Sequence, residues 1–111
     1  MRYLISICSV LIASCAMTPP AQVTQSDDVV WHGLPGKAKV RTLVQGGNAW
    51  IGTLVLEPTA QVPLHRDATE EYIVVTEGGG VLWIDGKRHV VVVGSAVFMP
   101  AGAQVRFENG A

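Results

Sequence analysis

Beyond its first fifteen residues the chain never runs more than 14 residues without a glycine or a proline, the longest such stretch being Leu64–Glu77. All 12 glycines lie in this region, so there is little room for helix. Valine dominates the pieces in between, with 16 copies after Cys15. A side chain branched at Cβ is stiff and suits a pleated surface better than a helix. Short valine-rich runs cut by turn signals at intervals of roughly 8–12 residues predict an all-β sandwich or barrel. Strands are expected at about 39–45, 49–57, 70–77, 80–85, 88–93, 96–99 and 103–108. Asp85-Gly86, between VLWI and KRHVVVV, is a two-residue hairpin signal, because both residues tolerate positive φ. Gly46-Gly47-Asn48 predicts another turn, and the continuous run Val90–Val93 predicts a strand covered on both faces, the outer cover coming from a second subunit.

The first fifteen residues are different. They hold 11 apolar side chains behind a single basic residue, Arg2, and they account for most of the mean hydropathy of +0.33. The apolar run Leu4–Ser14 is too short for a transmembrane helix, which needs roughly 20 residues. Its end, Ile12-Ala13-Ser14-Cys15, resembles the lipobox of bacterial lipoprotein signal peptides. That resemblance implies removal of residues 1–14, lipidation of Cys15, and anchoring in the bacterial cell envelope, since two or more acyl chains hold a protein on a membrane. Ala16 rather than Asp after the cysteine favours the outer membrane, facing the periplasm, in a Gram-negative host. Cys15 to Asp28, with Pro19-Pro20 and few large apolar groups, reads as the lipidated cysteine and its tether, leaving residues 29–111 for one domain. With Cys8 removed and Cys15 lipidated, that domain has no thiol pair and rests on its core.

Charge narrows the functional classes. Eight basic and nine acidic side chains give a net charge of −1, with no Lys/Arg block, which argues against a nucleic-acid partner. No phosphate loop, nucleophile elbow or Cys-His pair is present. The most informative stretch is HRDATEEYIVVTEG, from His65 to Gly78. On a strand His65 and Asp67 project to one face, and Glu71 can join them after a short bend. An imidazole with two carboxylates offers the mixed N/O ligation that divalent transition metals accept. The alternative is that Asp67 and Glu71 are polar groups at a pocket mouth, bonded to Arg66, Arg106 or backbone. His89, at the start of a strand, reads as exposed, and His32 has no supporting spacing. Trp50, Trp83 and Phe107 read as packing groups, and Glu70 as pointing away from Glu71.

The same segment resembles the first motif of the cupin superfamily, in which Gly, five residues, His-x-His, three or four residues, Glu, six residues and Gly follow one another. His65, Glu71 and Gly78 sit at the matching places. The second motif, Gly, five residues, Pro-x-Gly, two residues, His, three residues and Asn, is met by Gly94, Pro100, Gly102 and Asn109. The resemblance, to small single-domain cupins of the cupin-2 type, implies a double-stranded β-helix, or jelly-roll barrel, short of its last strand at Ala111. It also implies a pocket for a small molecule. Family members that bind metal use three His and one Glu. Here the second His is Asp67 and the last is Val105, so the implied set is His65, Asp67 and Glu71, a weak site for Mn²⁺, Fe²⁺, Zn²⁺ or Ni²⁺.

The resulting expectation is an envelope lipoprotein whose cupin domain binds a small molecule with weak or no metal. A metal-dependent enzyme of dioxygenase or isomerase type and a non-catalytic structural or sensory module stand as alternatives. A homodimer is expected, because a missing strand leaves an edge to be paired.

Overall fold

The computed structural model describes residues 19–110; the leader and Cys15 lie outside the described residues. Nine strands follow a single turn of 3-10 helix at Ser26–Asp28: β1 (His32–Leu34), β2 (Ala38–Gln45), β3 (Trp50–Leu56), β4 (Gln61–Arg66), β5 (Glu71–Val74), β6 (Gly79–Ile84), β7 (Lys87–Val92), β8 (Ala96–Met99) and β9 (Gln104–Asn109). The pairings between named strands are antiparallel. The all-β expectation holds, and most predicted strands fall within a few residues of those found. Two strands escaped prediction: β1, three residues long, and β4, whose apolar alternation is broken by Pro63. The expected strand at 70–77 is shorter, ending at Val74. Among the described residues no helix is long and apolar enough to cross a membrane.

The chain divides into two compact units. One holds the described residues up to Val30 together with Arg41–Thr53. Within it the Gln22 amide donates to Gln45 O at 2.7 Å and accepts from Gln45 N at 3.1 Å, and Arg41 donates to Ser26 O at 2.7 Å. Gly46 N donates to Ala49 O, closing the turn that leads to β3.

The other unit, Trp31–Val40 with the chain from Leu54 onward, carries two sheets: one of four strands in the order β4-β9-β6-β7 and one of two strands, β5-β8. Side chains from both form one apolar cluster of Leu82, Val91, Met99, Ala103 and Val105, with Ile73, Ile84, Val97 and Phe107 packed against it. The β6–β7 turn is the predicted Asp85-Gly86, with φ of 49° and 81°. It is tied to β9, because Asp85 N donates to Gln104 O at 2.8 Å while Gln104 N donates to Asp85 Oδ1 at 2.9 Å. The remaining motif positions sit at joints of the sheets. Gly94 N donates to Val75 O, and the Asn109 amide donates to Leu56 O and Glu57 O at 3.1 and 2.8 Å.

In the valine run Val91 is buried on the core face, while Val90 and Val92, 62% and 58% exposed, form the outward face on which the cover from a second subunit is expected, as alternation along β7 dictates. Trp50 is 55% exposed within the chain, so it is not a core group, and Trp83 lies under the Arg106 guanidinium, 3.7 Å from the ring centroid. Phe107 packs against the core as expected.

Candidate functional site

The site begins with an irregularity. Val62 pairs with Phe107 and His65 with Val105, so the register between β4 and β9 shifts between Val62 and His65. Regular alternation would put residues three apart on opposite faces, but a bulge inserts one extra residue and restores the phase. Val62 and His65 are therefore both partly buried, while Pro63 and Leu64 are exposed. Proline, with no N–H to give a ladder, is tolerated because β4 is an edge strand. The bulge also frees the Pro63 carbonyl, which lies 2.8 Å from His65 Nδ1. A carbonyl only accepts, so Nδ1 carries the proton and Nε2 is directed elsewhere.

Nε2 lies 3.3 Å from Asp67 Oδ2, just beyond the end of β4. Asp67 is held by its backbone, whose carbonyl accepts from Gly102 N at 2.8 Å across the Pro100-Ala101-Gly102 turn. Gly102 has φ of 80°, a left-handed conformation that glycine adopts without a Cβ clash. Arg66, one of the partners expected for the acidic groups, instead donates to Gly102 O at 2.7 Å. Arg106, the other, lies over Trp83 and 3.7 Å from Glu108.

Glu71 opens β5, directly opposite Met99 of β8. Burial pushes its carboxyl above the ordinary glutamate range; the Asp67 charge and a side-chain hydrogen bond to Asp67 push it the same way, and His65 opposes them. The three residues singled out from the sequence thus meet, in the order His65, Asp67, Glu71. Glu70 is exposed and accepts from the Tyr72 hydroxyl at 3.1 Å, consistent with its pointing away. On the strands facing His65 and Glu71 the opposing residues are Val105 and Met99, both buried and apolar. The cluster can accept protons, donate them and bind positively charged or hydrogen-bond-donating groups.

A metal fits this arrangement poorly. His65 Nε2 is engaged by Asp67, Val105 has no donor atom, and among the described residues no group of three or more His, Cys, Asp or Glu side chains is arranged to hold an ion.

A groove of about 380 Å³ opens elsewhere, lined by Leu82, His89, Val91, Ser95, Val97 and Phe98, and it includes none of His65, Asp67 and Glu71. The two carboxyls and their paired imidazole lie in the cluster, so the cluster outweighs the groove's size as a candidate site. His89 is exposed, as the sequence predicted, although it lines this groove and its register partner is the buried Leu82.

Residues 52–111 match the sequence profile of the family described as Cupin domain. The dimethylsulfoniopropionate lyase DddW of Ruegeria pomeroyi is 32% identical over 74 residues. That match takes in 62% of this chain and 49% of the lyase, so the chain spans about half the length of that relative. An RmlC-like cupin from Shewanella frigidimarina superposes with a TM-score of 0.73 at 18% identity, covering 84% of each chain. The polyketide cyclase RemF from Streptomyces resistomycificus gives 0.70 at 25% identity, covering 82% of this chain and 71% of its own.

Proposed function

Because this chain belongs to the cupin domain family, with the jelly-roll fold of its structural neighbours, we propose that it binds a small organic molecule bearing a positive charge at the cluster of His65, Asp67 and Glu71. The observation that carries the reading is the convergence of two carboxyls and one imidazole beside buried apolar side chains. Such a cluster attracts a compact cation through its charge and accommodates the alkyl groups around that charge by apolar contact. The lyase relative supports this choice, since dimethylsulfoniopropionate, the compound it is named for, carries a sulfonium cation.

The test is a calorimetric titration of the full chain with dimethylsulfoniopropionate and, separately, with tetramethylammonium. Asp67→Asn is expected to weaken binding about tenfold or more, the scale of losing one charge-assisted contact. Equal binding of an uncharged isostere, or no change in the Asn variant, overturns the reading.

Catalysis is the second reading, favoured by the His65 ring. With Nδ1 donating to Pro63 O and Nε2 lying 3.3 Å from the Asp67 carboxylate, imidazole and carboxyl form a pair able to take a proton from bound substrate while a leaving group departs. Release of product by wild type but not by His65→Ala distinguishes an enzyme from a binding module.

Anchoring and assembly complete the proposal. Residues 1–14 act as a lipoprotein signal peptide, Cys15 carries the lipid, and the domain is held on the bacterial envelope. A Cys15→Ser protein is expected to leave the membrane fraction. The exposed valines of β7 support a homodimer, which light scattering on the soluble domain checks.

A further inference from the structure

We infer that the interior position at which cupins seat a metal ligand is, in this chain, a packing position of the apolar core, and that His65, Asp67 and Glu71 meet an organic ligand with no ion between. The position is Val105. It is 5% exposed, lies directly opposite His65 on β4 and Ile84 on β6, and belongs to the cluster formed with Leu82, Val91, Met99 and Ala103.

Residues directly opposite on antiparallel strands place their Cβ atoms about 4.5–5.5 Å apart. A second imidazole at this position would stand beside that of His65, a spacing at which both rings can reach one Zn²⁺ at about 2.0–2.1 Å. With valine there, the isopropyl group fills the space from the β9 side. His65 meanwhile is drawn to Asp67 on one nitrogen and to Pro63 O on the other. Both ring nitrogens of His65 thus have partners within the chain, and the side facing β9 is hydrocarbon.

The experiment titrates full-length wild type, Val105→His and the Val105→His/His65→Ala pair with Zn²⁺ and Mn²⁺ alone, with bound metal counted by elemental analysis. Wild type is expected to show no stoichiometric site dependent on His65. Val105→His is expected to bind Zn²⁺ at least about a hundredfold more tightly, as gain of a second imidazole nitrogen on the ion implies, and His65→Ala is expected to abolish the gain. The metal-free Val105→His protein melts below wild type, because a polar ring then occupies an apolar site. Stoichiometric wild-type binding lost in His65→Ala overturns the inference, as does a folded Val105→His that binds no tighter. If that variant does not fold, the wild-type titration against His65→Ala decides alone. A tight wild-type metal leaves the organic-cation reading to its own titration, and failure of every organic cation leaves this inference standing.

Discussion

Glu71 shows how one side chain can report on its surroundings. Its folded-state pKa lies above the ordinary value because burial, the Asp67 charge and the shared hydrogen bond all favour the protonated form. An acid raised in the folded state stabilises the fold fully below its unfolded pKa, about 4.3 for glutamate, and the stabilisation is lost as pH rises through the raised folded value. Stability is therefore expected to fall across that window in wild type. Glu71→Gln, which keeps a neutral hydrogen-bonding group, is expected to flatten the fall, as measured by urea midpoints in a pH series. An unchanged profile in the variant contradicts the assignment. The sequence spacing located His65, Asp67 and Glu71, because that spacing belongs to a motif. It could not show that Arg66 and Arg106 turn away from the acids, since where long side chains go depends on strands remote in sequence.

At the scale of elements, turn chemistry was more legible than strand boundaries. Asp85-Gly86 announced its hairpin because positive φ restricts which residues can stand there. β4 was invisible because the bulge at Pro63 and Leu64 breaks the two-residue period by which strands are recognised. What fixes that bulge is the register with β9, 40 residues on, from His65 to Val105. The Asp85 turn yields a prediction. Asp85→Ala loses the bond from Gln104 N and keeps a left-handed φ, for a combined cost of about 1–3 kcal/mol. Asp85→Asn, which tolerates that φ and still offers an acceptor, is expected to recover most of it in the same denaturation experiment. Equal losses in the two variants would refute this account of the turn.

At the scale of the whole molecule the apolar interior is small: among the described residues six hydrophobic side chains are buried, and large apolar side chains such as Tyr72, Val74 and Phe98 remain exposed. A core of this size leaves little reserve. Met99→Ala, at the most buried of these positions, is expected to cost about 2–5 kcal/mol. At roughly 4–8 °C per kcal/mol for a domain of this size, the thermal midpoint should drop by about eight degrees or more, a shift calorimetry reads directly. A change of only a degree or two would mean that the site collapses around the deletion. Composition made the β class readable, yet it could not say which valines lie inside, because that depends on which face of each strand turns toward the core.

If the proposed ligand binds at this cluster, the stitch between Asp67 O and Gly102 N, reinforced by Arg66 on Gly102 O, sets how quickly and at what entropic cost that ligand is received. It joins the loop carrying one acidic group to the turn between β8 and β9, so Asp67 is in position before anything arrives. The conformational entropy of that loop is surrendered once, when the chain folds. Association at such a preorganised site proceeds without an ordering step, and affinity differences among ligands should appear in how long they stay.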